Sequence, residues 1–495
     1  MNAVKRILIS ASPLILVSLV ASQSLAGGKS TEKIPVTTDS KEARALFHKG
    51  QAALDVGNGI DANAYFREAV EKDPEFAYAW LNIGNSSFST EEFNDAMVKA
   101  KQYSKHVSEG EKLLIGINAT FLDNNAEKRV ELAKELTHKH PHSPRAWLSL
   151  SGVHAGLNQH EKARASAEKA VALSPDFPLP YTTLGFSYLF NDPKDFSKAE
   201  KYMKKAIAID PEEAQFYVNL GDVHRAMNKL DQARDDYGKA VTLDQTNGLA
   251  HIKKAHINSF LGNYDEARED YDRSIEQAQQ QNKANFANYK AFTYLHEGNA
   301  DAAHEALGEL LAQTDTMNIP DHQKVGAKMF ALTNDATICL HTGMYDDAER
   351  VLTKRTKLIK HNINEVGTAA YERAQMADVA YWDGLLAARR GDFAKAKELA
   401  AQNAELVEPD QNPRKMENYH DLMGLISLLQ KNYEQAVEHY QRANLTTMYT
   451  KYHLALAYDG AGRKNEAKKM FSEVANWNFN SVGFALVRKD ALHRS

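Results

Sequence analysis

Residues 178–213 read PLPYTTLGFSYLFNDPKDFSKAEKYMKKAIAIDPEE, and residues 214–247, AQFYVNLGDVHRAMNKLDQARDDYGKAVTLDQTN, return the same signals one period later. Tyr181, Leu184, Gly185, Tyr188, Ala199, Ala206 and Pro211 of the first are answered by Tyr217, Leu220, Gly221, Ala233, Tyr237 and Ala240 of the second. Apolar residues fall at helical spacing within each half, which predicts two amphipathic helices per period. Gly or Ala in the first helix and Ala in the second let the pair approach closely, while the bulky residues fill the remaining space. Gly262-Asn263 and Gly391-Asp392 supply a residue that tolerates positive φ to close a first helix. Asp73-Pro74 and Asp210-Pro211 stop a second helix and turn the chain.

The frame extends in both directions. Gly50, Ala62, Phe66, Ala69 and Pro74 mark one unit, Trp80, Ile83, Gly84 and Ala96 the next, and Trp147, Leu150, Ala163, Ala170 and Pro175 a later one. Towards the other end stand Gly384, Gly391 and Ala396, then Gly424, Ala436, Tyr440 and Ala443, then Ala455, Tyr458, Ala467 and Phe471. A degenerate unit near 110–143 has Ile117 and Arg129 where small residues belong. This spacing resembles the 34-residue tetratricopeptide repeat (TPR), W-x2-L-G-x2-Y followed by A-x3-F and a closing proline. The resemblance covers nearly all of 42–478 and implies an all-α superhelical solenoid of about twelve helical hairpins. An unrelated helical bundle would not place small residues at one fixed phase.

The expected organisation follows. Residues 1–26 read as a secretory signal: Lys5 and Arg6, an apolar run from Ile7 to Val20, then Ser24-Leu25-Ala26 as a cleavage site. The alternative is a retained anchor, although the run is short for a membrane span. Residues 27–41 form a flexible leader, 42–312 an N-terminal array, 313–328 an irregular connection containing Ile319-Pro320, and 329–478 a C-terminal array. The extra residues at 313–328 and 361–376 lengthen helices or bend the superhelix. Residues 479–495 make a capping helix and tail, with Phe484, Leu486 and Val487 facing the last repeat. The compartment read from the signal is a bacterial periplasm, with no membrane span after cleavage.

Composition is that of an ordinary folded protein, with 43 % hydrophobic and 25 % charged residues. A formal net charge of −5 with interspersed signs gives no basic face for nucleic acid. The single cysteine, Cys339, excludes an intramolecular disulfide and reads as a small buried hydrophobe. His138, His140 and His142 alternate before Ser143-Pro144, but at a helix end their rings should splay, so no metal site is assigned. The run from Asp265 to Asp272 flanks Ala267 and Tyr271 and alternates with arginine, as a solvated helix face does. No phosphate loop, dinucleotide fingerprint or nucleophile elbow is present. The chain is therefore expected to bind rather than catalyse, without a cofactor.

In the repeat family the first helix of each hairpin lines the concave groove, through its second, fifth, ninth, twelfth and thirteenth positions. Carried onto this chain, those positions include Asn85, Asn118, Phe186, Asp222, Arg225, His256, Asn288, Phe292, His341, Tyr381 and Arg389. Phe186 and Phe292 also suit packing between helices. Together with the export signal, the groove implies a periplasmic scaffold or adaptor that binds a protein or peptide segment, with envelope assembly proteins among its partners. A subunit of a polysaccharide-export or cell-wall assembly is the alternative, and a metal-binding or enzymatic periplasmic protein the third reading.

Overall fold

The computed structural model describes residues 33–495 apart from residues 88, 123, 124 and 279, so the expected export signal lies outside the described residues. Two compact units divide at Met227 and Asn228. In unit 1, α1 (Lys41–Asp55) pairs with α2 (Gly59–Lys72), α3 (Ala77–Asn85) with α4 (Thr90–Gln102), and α5 (Glu109–Ala119) with α6 (Ala126–Lys139). The hairpins α7 (Pro144–Gly156) and α8 (His160–Leu173), and α9 (Pro178–Phe190) and α10 (Phe196–Ile209), follow, then α11 (Ala214–Ala226). Unit 2 opens with α12 (Leu230–Leu243), which completes the α11 repeat in sequence. It continues with α13 (Gly248–Leu261) and α14 (Tyr264–Gln277), α15 (Gln280–Glu297) and α16 (Ala300–Thr314), and α17 (Asp321–Thr342) and α18 (Tyr345–Val366). The last hairpins are α19 (Ala369–Arg389) with α20 (Phe393–Val407), α21 (Glu417–Leu429) with α22 (Tyr433–Tyr440), and α23 (Met448–Gly460) with α24 (Lys464–Ala475); α25 (Val482–Arg494) ends the chain. Among the described residues there is no strand; α1 to α10 make five hairpins in unit 1 and α13 to α24 six in unit 2, and α11 and α12 fall on either side of the division, an all-α solenoid architecture in each unit.

The small residues act as the repeat frame predicts. A Cβ on Gly185 would stand 2.7 Å from Met203, and one on Gly424 2.9 Å from the Tyr440 ring. The alanines of the second helices, among them Ala62, Ala199, Ala267, Ala348, Ala436 and Ala467, are at most 2 % exposed. Bulky neighbours such as Leu184, Phe66 and Tyr237 are fully buried around them, each contributing about 1.5–3 kcal/mol relative to exposure. Gly262 and Gly391 take φ of 89° and 84° at their hairpin turns; Asn158, Asn228 and Lys431 fill the same place at 57°, 58° and 62°. In the degenerate unit, Arg129 replaces the small residue by reaching past α5. Its guanidinium donates to the Thr120 hydroxyl and carbonyl at 2.9 and 3.2 Å and covers the Phe121 ring.

Three features differ from the sequence-based expectations, and for the extra residues the structure selects one of the two expected outcomes. The region 313–328 is mostly helix: only 315–320 separates α16 from α17, and it lies inside unit 2. Pro320 sets the start of α17, since its φ of −54° suits a helix entry. The extra residues lengthen helices, with α17 and α18 at 22 residues each and α19 at 21. Residues 33–40 are pinned rather than flexible. Ile34 is 2 % exposed, and the Thr37 N–H donates to Glu111 at 2.8 Å. Glu111 is held ready by a capping box with Ser108 at the start of α5. Finally, α25 does not cap the last repeat alone, as described below.

Unit 1 also carries a long-range tie. Arg145, at the start of α7, donates to both carboxylate oxygens of Asp55, at the end of α1, at 2.8 and 2.6 Å. Both side chains are at most 10 % exposed. Val56 beside them packs against the cluster of Tyr181, Ala206 and Phe216.

Candidate functional site: the inner wall of unit 2

The first helices α13, α15, α17, α19, α21 and α23 form one wall of unit 2, and α25 packs on that wall. It touches α15, α17 and α23 as well as its sequence neighbour α24. Gly483, Phe484, Ala485, Val487 and Ala491 are all buried. Apolar residues on adjacent faces, rather than one stripe, explain why this helix is enclosed instead of lying across an end.

The contacts begin in the strand-like approach to α25. Asn480 donates to the Tyr271 hydroxyl at 3.2 Å and pairs with His296 Nε2 at 3.1 Å. Phe484 meets Phe260 and His296 edge to face, with ring centroids 5.5 and 6.0 Å apart. Arg488 donates to the Phe260 carbonyl at 3.0 Å and lies over both phenyl rings. A Cβ on Gly483 would come 2.7 Å from Tyr449, so only glycine lets α25 approach α23 there. One turn from its end, Asp490 accepts from the Tyr452 hydroxyl at 2.6 Å.

Beside α25 the wall carries a chain of polar side chains. His341 Nδ1 lies 2.9 Å from the Tyr449 hydroxyl, and Arg389 reaches the same oxygen at 3.4 Å and His453 Nε2 at 3.3 Å. His453 Nδ1 lies 2.8 Å from the Tyr449 carbonyl, so its proton belongs on Nδ1 and Nε2 accepts from Arg389. Tyr381 donates to Asp421 at 2.8 Å, and the Thr450 hydroxyl donates to the other oxygen at 3.1 Å. Burial, reinforced by Arg389, pushes His341 down to about 4 and His453 down to about 3. Burial likewise lowers His296 to about 4 and raises Asp421, against the hydrogen bonds it accepts. The rings are therefore neutral and the cluster is hydrogen-bonded, an arrangement suited to holding a helix rather than to moving protons.

The structure brings His341 and Arg389 together through Tyr449, and sets Tyr381, on the same helix as Arg389, against Asp421 of the next repeat. His256 packs between the Tyr271 and Tyr289 rings, at 5.7 and 5.0 Å. Asn288 is buried, donating to Ala284 and accepting from Asn334 at 3.0 Å, while Phe292 is in the core. In unit 1, Asn85 is half-buried at the end of α3, and the Asn118 amide turns back to the Leu114 carbonyl at 3.0 Å. Asp222 and Arg225 pair on α11 at 3.2 Å, and Phe186 stacks on Phe190 of α9 with centroids 6.0 Å apart. His138 and His142 are exposed, and among the described residues the three alternating histidines form no metal-ligating group. Sequence reading passed over Asp421, Tyr449 and Tyr452. They stand at the fifth, second and fifth positions of their repeats, so the same positional rule applied to the last two hairpins finds them.

Comparison with known proteins agrees with this architecture. One tetratricopeptide-repeat family model matches residues 184–213, 214–247, 250–281 and 449–481, and a second matches 43–101 and 130–178. Anaphase-promoting complex subunit 3 of Schizosaccharomyces pombe is 28 % identical over 102 residues, which are 21 % of this chain and 15 % of that protein. Protein bimA of Emericella nidulans is 28 % identical over 106 residues, 21 % of this chain and 13 % of its own length. The chain thus spans only a small part of either relative. Among solved structures, the APC/C hetero-tetramer Cut9-Hcn1 is 16 % identical with a TM-score of 0.37, covering 91 % of this chain and 76 % of that one. MamA is 20 % identical with a TM-score of 0.30, covering 35 % and 95 %. The stacked hairpins, their small-residue frame and the family matches over 43–101, 130–178, 184–247, 250–281 and 449–481 together show that this chain carries tetratricopeptide repeats.

Proposed function

We propose that the chain is a periplasmic scaffold that binds protein segments along the first-helix walls of its repeats and serves an assembly of the cell envelope. Repeat arrays of this family work through protein–protein contact, and the reading extends that to a compartment and a role. The observation that carries it is α25. The wall of unit 2 already holds a helix, through an aromatic socket at Phe260 and His296, a close approach at Gly483 and a hydroxyl–carboxylate bond at Asp490. A wall with that chemistry suits another amphipathic helix that carries a small residue beside an aromatic one. The basic, apolar and small-residue sequence of 1–26 supports the address.

The test is recovery of partners from fractionated cells with the full-length tagged chain. The expected result is a chain found in the periplasmic fraction with a reproducible set of proteins, lost or changed when Tyr449 and Arg389 are both replaced by alanine. A chain retained in the cytoplasm, or a partner set indifferent to the wall, overturns the proposal.

One feature favours the glycan-assembly alternative. Phe186 and Phe190 are stacked on α9, and Phe190 is 48 % exposed, a platform on which a sugar ring can lie. Binding of purified envelope glycans that is lost in Phe190→Ala would favour it over the protein-segment reading.

A further inference from the structure

Between α16 and α17 of unit 2, three unlike donors meet. His304 projects from α16, and Asp335 and Cys339, four residues apart on α17, share one helix face. One donor atom from each lies within 4.8 Å of the others. Cys339 Sγ is 3.5 Å from His304 Nδ1 and 3.5 Å from an Asp335 oxygen, and that oxygen is 2.5 Å from Nδ1. Asp335 and Cys339 are buried, whereas the His304 side chain is 28 % exposed at the edge of a cavity of about 650 Å³. The other ring nitrogen, Nε2, faces Asp347 of α18 at 3.7 Å.

We propose that His304, Asp335 and Cys339 bind one zinc ion, with the fourth position open to the cavity. The donor set is imidazole, carboxylate and thiolate, a combination that favours zinc over the hard cations calcium and magnesium. The geometry is close to what a tetrahedral ion needs. With zinc–sulfur near 2.3 Å and zinc–nitrogen or –oxygen near 2.0 Å, tetrahedral angles put sulfur about 3.5 Å from each of the other two ligands. Both sulfur distances already have that value. The third edge is a direct hydrogen bond and must open to about 3.3 Å. His304 has room to make that move because it borders the cavity.

Asp347 stands behind the ring: its carboxylate, which also pairs with Arg350, is 3.7 Å from Nε2 and closes on it by a few tenths of an ångström to accept a hydrogen bond. A histidine that ligates zinc through one nitrogen usually offers the other N–H to a carboxylate, which fixes the ring and raises its basicity. A plain His–Asp contact between two helices would require neither the thiol at the third corner nor the carboxylate behind the ring. Binding displaces the Cys339 thiol proton to solvent and replaces the His304–Asp335 hydrogen bond with two metal bonds. Zinc uptake therefore releases at least one proton, and apparent affinity rises with pH. The expectation of a cysteine that acts only as a small hydrophobe changes accordingly: it is buried, but buried among ligands.

The experiment is titration of the metal-stripped full chain with zinc, followed by cobalt as a spectroscopic probe. The expected result is one tight equivalent of zinc and a cobalt complex with tetrahedral visible bands and a thiolate-to-cobalt charge-transfer band in the near ultraviolet. Cys339→Ser should abolish that band and weaken zinc at least tenfold. His304→Ala, at a part-exposed position, should weaken zinc similarly while leaving circular dichroism unchanged. Replacing His138, His140 and His142 with alanine should leave the stoichiometry at one. A wild-type chain that takes up no stoichiometric zinc, or a cobalt complex without the charge-transfer band, overturns the proposal. So does zinc binding that survives Cys339→Ser and His304→Ala. The cobalt spectrum of the unaltered chain decides even where a variant misfolds.

Discussion

Lys431 occupies a place that glycine or asparagine takes in the other hairpins. Its φ of 62° puts a side chain in the left-handed region, which costs a residue other than glycine or asparagine about 1–2 kcal/mol. Lys431→Gly should therefore raise stability by about 1 kcal/mol, less the added unfolded-chain entropy of glycine, in a urea unfolding curve. Glycine in the helices divides into two kinds. Gly185 faces Met203 with no space for a Cβ, whereas nothing lies within 4 Å of one built on Gly238. Gly185→Leu should lose about 1–3 kcal/mol through overpacking. Gly238→Ala should gain about 0.5–1 kcal/mol through helix propensity, the opposite sign in the same assay. Gly185 was legible because the repeat returns a small residue at its phase, whereas Gly238 stands outside that frame. The partners of Tyr381, His341 and Arg389 were legible only by carrying the same positions into the last two hairpins, where Asp421 and Tyr449 stand.

At the scale of an element, α25 was expected on the last repeat alone and rests on α15 and α17 as well. Phe484 and Val487 marked it as amphipathic, but a repeat frame describes contacts between neighbours and says nothing of a helix that returns across several. Its docking should respond to acid. His296 faces Asn480, Phe484 and Arg488; His341 faces Tyr449, Arg389 and Asp490; His453 faces Tyr449, Arg389 and His341. All three rings are held below their ordinary value of 6.5. The undocked or unfolded chain then takes up protons that the docked state refuses, between pH about 6.5 and about 3. Stabilisation is complete above that window and lost as pH falls through it. The protection of α25 amides from hydrogen exchange, taken relative to the intrinsic chemical rate at each pH, should fall between pH 7 and 5, and His296→Phe should reduce the effect. The lengthened helices α17, α18 and α19 were half-legible, since extra residues at 313–328 and 361–376 showed in the period but not whether they would extend or interrupt a helix.

The whole molecule is more than a sum of adjacent repeats. In unit 1, Asp55 and Arg145 join the first and fourth hairpins through two short hydrogen bonds in a buried setting. Periodicity could not reveal this, because charged residues at a hairpin end and a helix start look like solvated surface in one dimension. Removing one partner leaves the other charge buried and unpaired. Asp55→Asn should cost unit 1 about 3–5 kcal/mol, read from the fluorescence of Trp80 and Trp147 during denaturation. Asp55→Leu combined with Arg145→Met should recover most of it. In unit 2 the equivalent tie is α25 itself, running from the last hairpin to α15 and α17. Every helix it rests on precedes it in the polypeptide, so a chain that enters its compartment N-terminus first delivers them in that order. Until its final turns arrive, the chain presents a socket without its plug, and a partner on hand at that moment has no competitor to displace.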